Sequence, residues 1–97
     1  MLLKALMYHC HVCGAPVEEA PWGEDGRTPL FDLCPCCGCE FGYEDSTQAG
    51  VERYRTAWLQ GGGVWKNSKD KPAGLHLEQQ LKWVPAKLPI GIARRIA

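Results

Sequence analysis

Two short elements of one form, Cys10-His-Val-Cys13-Gly14 and Cys34-Pro-Cys-Cys37-Gly38, constrain this chain more than anything else in it. Each reads C-x-x-C-G, and 20 residues lie between Cys13 and Cys34. A C-x-x-C turn presents two sulfurs from one tight bend. Two such turns, brought together by the chain between them, supply the four ligands of a tetrahedral zinc site. A glycine directly after the second cysteine lets the backbone take a positive φ and turn its amides toward the sulfurs, which offsets part of the thiolate charge. Such a cross-link has a purpose here. A chain of 97 residues is one small domain, and at that size roughly 60–68% of the unfolded surface is buried, near the limit at which packing alone holds a fold.

Six cysteines pose a question of register, because Cys36 and Cys39 form an overlapping C-x-x-C. The Cys34/Cys37 pair has Pro35 to fix φ in its turn and Gly38 in the place that Gly14 holds in the first element; Cys36/Cys39 has neither. The expected ligands of a single structural Zn2+ are therefore Cys10, Cys13, Cys34 and Cys37. Cys36 and Cys39 are left as buried thiols beside the site, or as a redox pair oxidised when metal leaves. His9 and His11 flank the first element, where neighbouring positions on a tight turn point away from a metal, and read as exposed turn residues.

No stretch approaches the ~20 apolar residues of a membrane span. The apolar start around Lys4 is shorter than a secretory signal and lacks a small-residue cleavage site. The expected location is a reducing cytoplasm, where paired cysteines serve as metal ligands or redox groups rather than as structural disulfides.

The pattern along the chain predicts a small α+β fold, a zinc-ribbon-like β-hairpin or sheet with one or two short helices packed on it. The single domain divides into a ribbon over about 8–45, a helical part over about 46–85 and a tail over 86–97. Strands are expected at about Ala15–Glu19 and Thr28–Leu33, joined by a long acidic turn, and a third at Glu40–Glu44. Asp45 or Ser46 then caps a helix, with Gln48 three residues after Asp45 at capping-box spacing. Val51, Tyr54 and Trp58 form its apolar face, and Gly61-Gly62-Gly63 ends it. A second short helix is expected over Leu75–Val84, stopped by Pro85. The tail, with Leu88, Ile90, Ile92 and Ile96, reads as a docking strand or a free end.

Eleven bases balance eleven acids, but unevenly. Nine acids and two bases lie through Glu52, and nine bases with only Asp70 and Glu78 follow. Two halves of opposite sign attract each other within one small domain. Four thiolates on one dication would add a net charge of −2 to the acidic half, and Arg53 and Arg55 on the first helix are placed to answer it. The basic half also offers Arg53, Arg55, Lys66, Lys69 and Lys71, with Trp58, Trp65 and Trp83, as nucleic-acid contacts. Against that stands an overall balance far from basic. The tryptophans of so small a domain are expected in its core.

With both cysteine elements and the following Phe41-Gly42-Tyr43-Glu44-Asp45 in view, residues 8–65 resemble the bacterial cysteine-rich CPCC family of small zinc-ribbon-like proteins. The resemblance implies the fold and the metal, and no particular activity. No nucleophile motif, phosphate loop or paired-carboxylate arrangement stands out, no catalytic residue is assigned, and four cysteines leave zinc no open position for water. An enzyme is not expected. A protein-interaction or regulatory module is, with Trp22 and the apolar tail as contacts. A nucleic-acid-binding ribbon and a thiol redox sensor using Cys36/Cys39 are the alternatives.

Overall fold

The computed structural model describes residues 8–85. It has the expected α+β character, but its strands are shorter and pair differently. β1 (Tyr8–His9) runs antiparallel to β2 (Pro16–Val17), with Tyr8 opposite Val17 and His9 opposite Pro16. The turn between them is the first cysteine element. The second element is closed in the same way, by an isolated antiparallel bridge between Leu33 and Glu40. The ribbon is thus two small hairpins, each folded over its own C-x-x-C-G, rather than one hairpin spanning the two.

The expected pairing of about Ala15–Glu19 with about Thr28–Leu33 is not what forms. The chain between the elements closes on itself: the amide of Gly23 donates to the carbonyl of Ala20, Thr28 to Trp22, and Leu30 to Pro21. The Asp25 carboxylate accepts from the Arg27 amide at 2.8 Å and the Thr28 hydroxyl at 3.0 Å, which fixes the acidic tip. Phe31, at φ 59°, then takes the chain out of extended conformation. Beyond the bridge, 41–45 is a set of turns and not a strand, its first turn held by the Tyr43 amide on the carbonyl of Glu40.

α1 (Gln48–Gln60) is capped by Thr47, whose hydroxyl accepts from the Gly50 amide at 2.9 Å. The expected caps, Asp45 and Ser46, are used elsewhere: Asp45 is buried, and the Ser46 hydroxyl donates back to the carbonyl of Tyr43. Val51 is buried on the inner face of α1 and Tyr54 and Trp58 lean on the same core, as the periodicity predicts. The helix stops at Gly61, and the Gly63 amide returns to the carbonyl of Trp58.

A 3-10 turn at Ser68–Asp70 leads to α2 (Leu77–Leu81), shorter than expected from the sequence. Its buried residue is Gln80, while Leu75 just ahead of it is also buried. The core is dominated by sulfur. All six cysteines are buried, together with Val12, Ala15, Trp22, Phe41 and Val51, and Trp65 packs on them from outside. Trp22, read from the sequence as a partner contact, is only 4% exposed. The tail 86–97 lies outside the described residues. Among the described residues, no helix is long and apolar enough to cross a membrane.

Candidate metal centre

The two cysteine elements have the same hydrogen-bond pattern. In the first, the Cys10 amide donates to the carbonyl of Ala15, the Gly14 amide to Cys10, and the Val12 amide to the Cys10 sulfur at 3.4 Å. In the second, Cys34 donates to Cys39, Gly38 to Cys34, and the Cys36 amide to the Cys34 sulfur at 3.4 Å. Gly14 and Gly38 take φ of 81° and 84°, the left-handed turn that glycine permits without strain.

This correspondence explains the two extra cysteines structurally. Cys36 occupies the place of Val12, and Cys39 that of Ala15. Both are fully buried, as a small core residue would be.

The folded turns gather Cys10, Cys13, Cys34 and Cys37 so that all four sulfurs lie within 4.8 Å of one another. The Cys10–Cys37 separation is 3.8 Å and the Cys13–Cys34 separation is 3.7 Å. Zinc–thiolate bonds of about 2.3 Å directed to the corners of a tetrahedron put neighbouring sulfurs about 3.8 Å apart. A disulfide would need about 2.05 Å. The cage therefore fits a tetrahedral metal ion, and its four cysteines are unbridged.

Hydrogen bonding with the Cys10 sulfur draws Cys13 down to about 5 and pushes Cys37 upward, while burial presses both upward. Sulfurs so crowded cannot all be thiolates unless a cation shares their charge.

What the second half of the chain does is visible in the carbonyls of the two turns. In the first turn, Arg55 donates from Nη2 to the His11 oxygen at 3.0 Å and from Nε to the Val12 oxygen at 2.6 Å. Gln80 Nε2 completes that turn at the Cys13 oxygen, 3.0 Å away. In the second, the Asn67 and Lys66 amides donate to the oxygens of Pro35 and Cys36, at 3.0 and 2.9 Å. The Tyr54 hydroxyl completes that one at the Cys37 oxygen, at 3.2 Å. Six carbonyls that face inward between the halves all receive a donor, as buried backbone requires. The sequence singles out Arg55 for this region; it gives no sign of Gln80, whose Oε1 also accepts from Trp65 Nε1 at 3.1 Å and whose Nε2 also reaches the Cys36 sulfur at 3.3 Å.

A second buried polar group lies within electrostatic reach of Cys10 and His11. Asp45 accepts from Trp22 Nε1 at 3.0 Å and from the Gly42 amide at 2.7 Å, tying the acidic loop to the residues after the second turn. Burial raises its carboxyl above the usual range, while these two donors act in the opposite direction.

The histidines are not exposed turn residues. His9 is half-buried with its ring 4.5 Å from that of Trp83, and His11 is half-buried with Nδ1 enclosed and without a hydrogen-bond partner among the described residues. Neither belongs to the four-sulfur cage. Of the residues read as nucleic-acid contacts, Arg55 is taken up by the first turn, whereas Arg53, Lys66, Lys69 and Lys71 are exposed. Trp58 is not free either, since its Nε1 donates to the Val64 oxygen at 2.9 Å.

The chain is similar to two proteins of Bacillus subtilis strain 168. It is 31% identical over 91 residues to the uncharacterized protein YoaQ, covering 78% of this chain and 77% of YoaQ. It is 29% identical over 93 residues to the uncharacterized protein YozI, covering 79% of this chain and 77% of YozI. No family model and no solved structure matches it.

Proposed function

The chain belongs to the family of the Bacillus subtilis protein YoaQ, and we propose that it is a small cytoplasmic zinc protein whose metal is structural and whose surface serves protein interaction or regulation. The two C-x-x-C-G elements and the following Phe41-Gly42-Tyr43-Glu44-Asp45 support, in our reading, a kinship with the cysteine-rich CPCC proteins. The observation that carries the metal assignment is the sulfur spacing of 3.7 and 3.8 Å in a fully buried four-cysteine cage. Zinc, with no geometric preference of its own, accepts four thiolates readily. Four protein ligands leave no coordination position for water or substrate, so the reading is a scaffold and not an enzyme. Support for a protein contact comes from Phe31 and Tyr43, which are 60% and 69% exposed.

Elemental analysis of protein purified without added metal tests the assignment. We expect about one zinc per chain, and chelation should unfold the domain because metal binding and folding are coupled. Metal-free protein with a disulfide between Cys10 and Cys34 would overturn the ligand set and the cytoplasmic placement together.

A redox role is the second reading, favoured by the Cys39 sulfur at 3.8 Å from that of Cys10. Oxidation of these two thiols by hydrogen peroxide would form one disulfide and reduce the peroxide to two waters, removing a ligand from the cage. Zinc release with a Cys10–Cys39 linkage, abolished in Cys39→Ala, supports this reading. Release without that linkage refutes it.

A further inference from the structure

Beside the second cysteine turn lies an open groove of about 250 Å³, whose apolar lining includes Val17, Leu33 and Phe41. Glu18, Glu19 and Asp32 line it as well. Leu33 is 66% exposed there, an apolar side chain open to an occupant. The three carboxylates are exposed, and no ion-pair or hydrogen-bond partner is seen for them among the described residues. The groove is therefore both apolar and negatively charged, and it selects an occupant that is apolar and positively charged.

The chain carries such a segment. Residues 86–97 contain Lys87, Arg94 and Arg95 with no acid, and Leu88, Ile90 and Ile92 at every second position. In extended form, residues spaced by two share one face of the backbone. The described chain also ends close enough. Val84 packs on Gly14, since a Cβ placed on that glycine would lie 3.2 Å from Val84 Cγ2. Gly14 is three residues from Val17, so their Cα atoms are at most about 11 Å apart. From Val84 the chain reaches at most about 14 Å by Leu88, comparable to that span, and the eight residues to Ile96 extend roughly 28 Å further.

We propose that the groove is the seat of this chain's own segment Leu88–Ile96, with Leu88, Ile90 and Ile92 on its apolar lining and the flanking basic residues opposite Glu18, Glu19 and Asp32. The inference does not depend on which metal the cage holds. It gives the opposite charges of the two halves a specific meeting place, and it makes the acidic face a surface that a competing basic, apolar peptide could reach only by displacing the segment.

Hydrogen exchange on the full, metal-loaded chain tests this. The amides of Leu88–Ile96 should exchange at least about tenfold more slowly than in the same segment as a free peptide. Reversing the groove charge with Glu18→Lys, Glu19→Lys and Asp32→Lys should remove most of that protection while the amides around the cysteine turns exchange unchanged. Adding Lys87→Glu, Arg94→Glu and Arg95→Glu should restore it. Peptide-like exchange of the segment in the unaltered protein, or protection indifferent to charge reversal, overturns the proposal. So does protection that rises with protein concentration over a hundredfold range, because that would seat the segment on a second copy.

Discussion

Gln80 is the buried polar residue on which the second half of the chain depends most, and its replacement by alanine gives a calculable loss. Three contacts go at once: Cys13 loses the only donor seen on its carbonyl among the described residues, Trp65 Nε1 loses its acceptor, and the Cys36 sulfur loses a donor. Leaving a buried polar group unpaired costs about 1–3 kcal/mol. The Cys13 oxygen should lie toward the upper end of that range because Cys13 is wholly buried, and the half-buried Trp65 toward the lower. The total is about 3 kcal/mol. For a domain of this length that is a fall of roughly 12–24 °C in Tm.

The assay is thermal and urea unfolding of metal-loaded protein at fixed free zinc, since bound metal itself shifts the transition. Gln80→Glu is the informative companion. It keeps the length and can still accept from Trp65, but it has no donor for the Cys13 oxygen and brings a carboxylate against the sulfur that Gln80 approaches to 3.3 Å. It should be at least as damaging as alanine. An alanine variant within about 0.5 kcal/mol of the parent, or a glutamate variant milder than alanine, would refute the reasoning.

The remaining predictions concern the cage and its support. Cys37→Ser should abolish stoichiometric zinc binding and cooperative unfolding, whereas Cys39→Ala, which restores the residue type found at the equivalent position of the first turn, should keep one zinc per chain with a loss of less than about 1.5 kcal/mol; equal damage would reject the ligand register. Asp45→Ala should cost about 2–4 kcal/mol, because both donors now on the carboxylate, at 3.0 and 2.7 Å, lose a charged acceptor. Asp45→Asn should cost roughly half as much, since its oxygen can keep only one of the two. Urea midpoints at constant m-value report both.

The cluster of Cys10, Cys13, Cys34 and Cys37 and the main helix could be read from the sequence because each rests on local spacing. C-x-x-C-G specifies a turn within five residues, and the recurrence of Val51, Tyr54 and Trp58 specifies one face of a helix. The strands could not be read so well. Pro16 and Val17 carry a strand-like pattern, but their partner is set by closure of the first turn, which favours the neighbouring Tyr8–His9 over the distant residues near Leu33. The helix cap was ambiguous for a different reason. Asp45, Ser46 and Thr47 can all cap, and only burial beside Trp22 decides that Asp45 serves the core and leaves Thr47 to the helix. Gln80 carried no signal at all, since a glutamine on a polar five-residue helix is indistinguishable in sequence from a solvated one.

The equivalence of the two turns also says why so small a helical half is attached to the cysteine turns. Each C-x-x-C turn sends one amide to its first sulfur and presents three carbonyls to the helical half. In isolation those oxygens would be left to water. Here they meet Arg55 and Gln80 over the first turn, and Tyr54 with the Lys66 and Asn67 amides over the second. One helix, one extended connection and one helical turn suffice because the donors needed number only six and come in two matching sets of three. The thiolate cage would draw such donors more strongly than a neutral turn, since the negative charge behind the carbonyls favours the guanidinium and amide dipoles in front of them. Metal binding and the docking of the second half should therefore be one cooperative event, and removal of zinc should release Arg55 and Gln80 from the turns together.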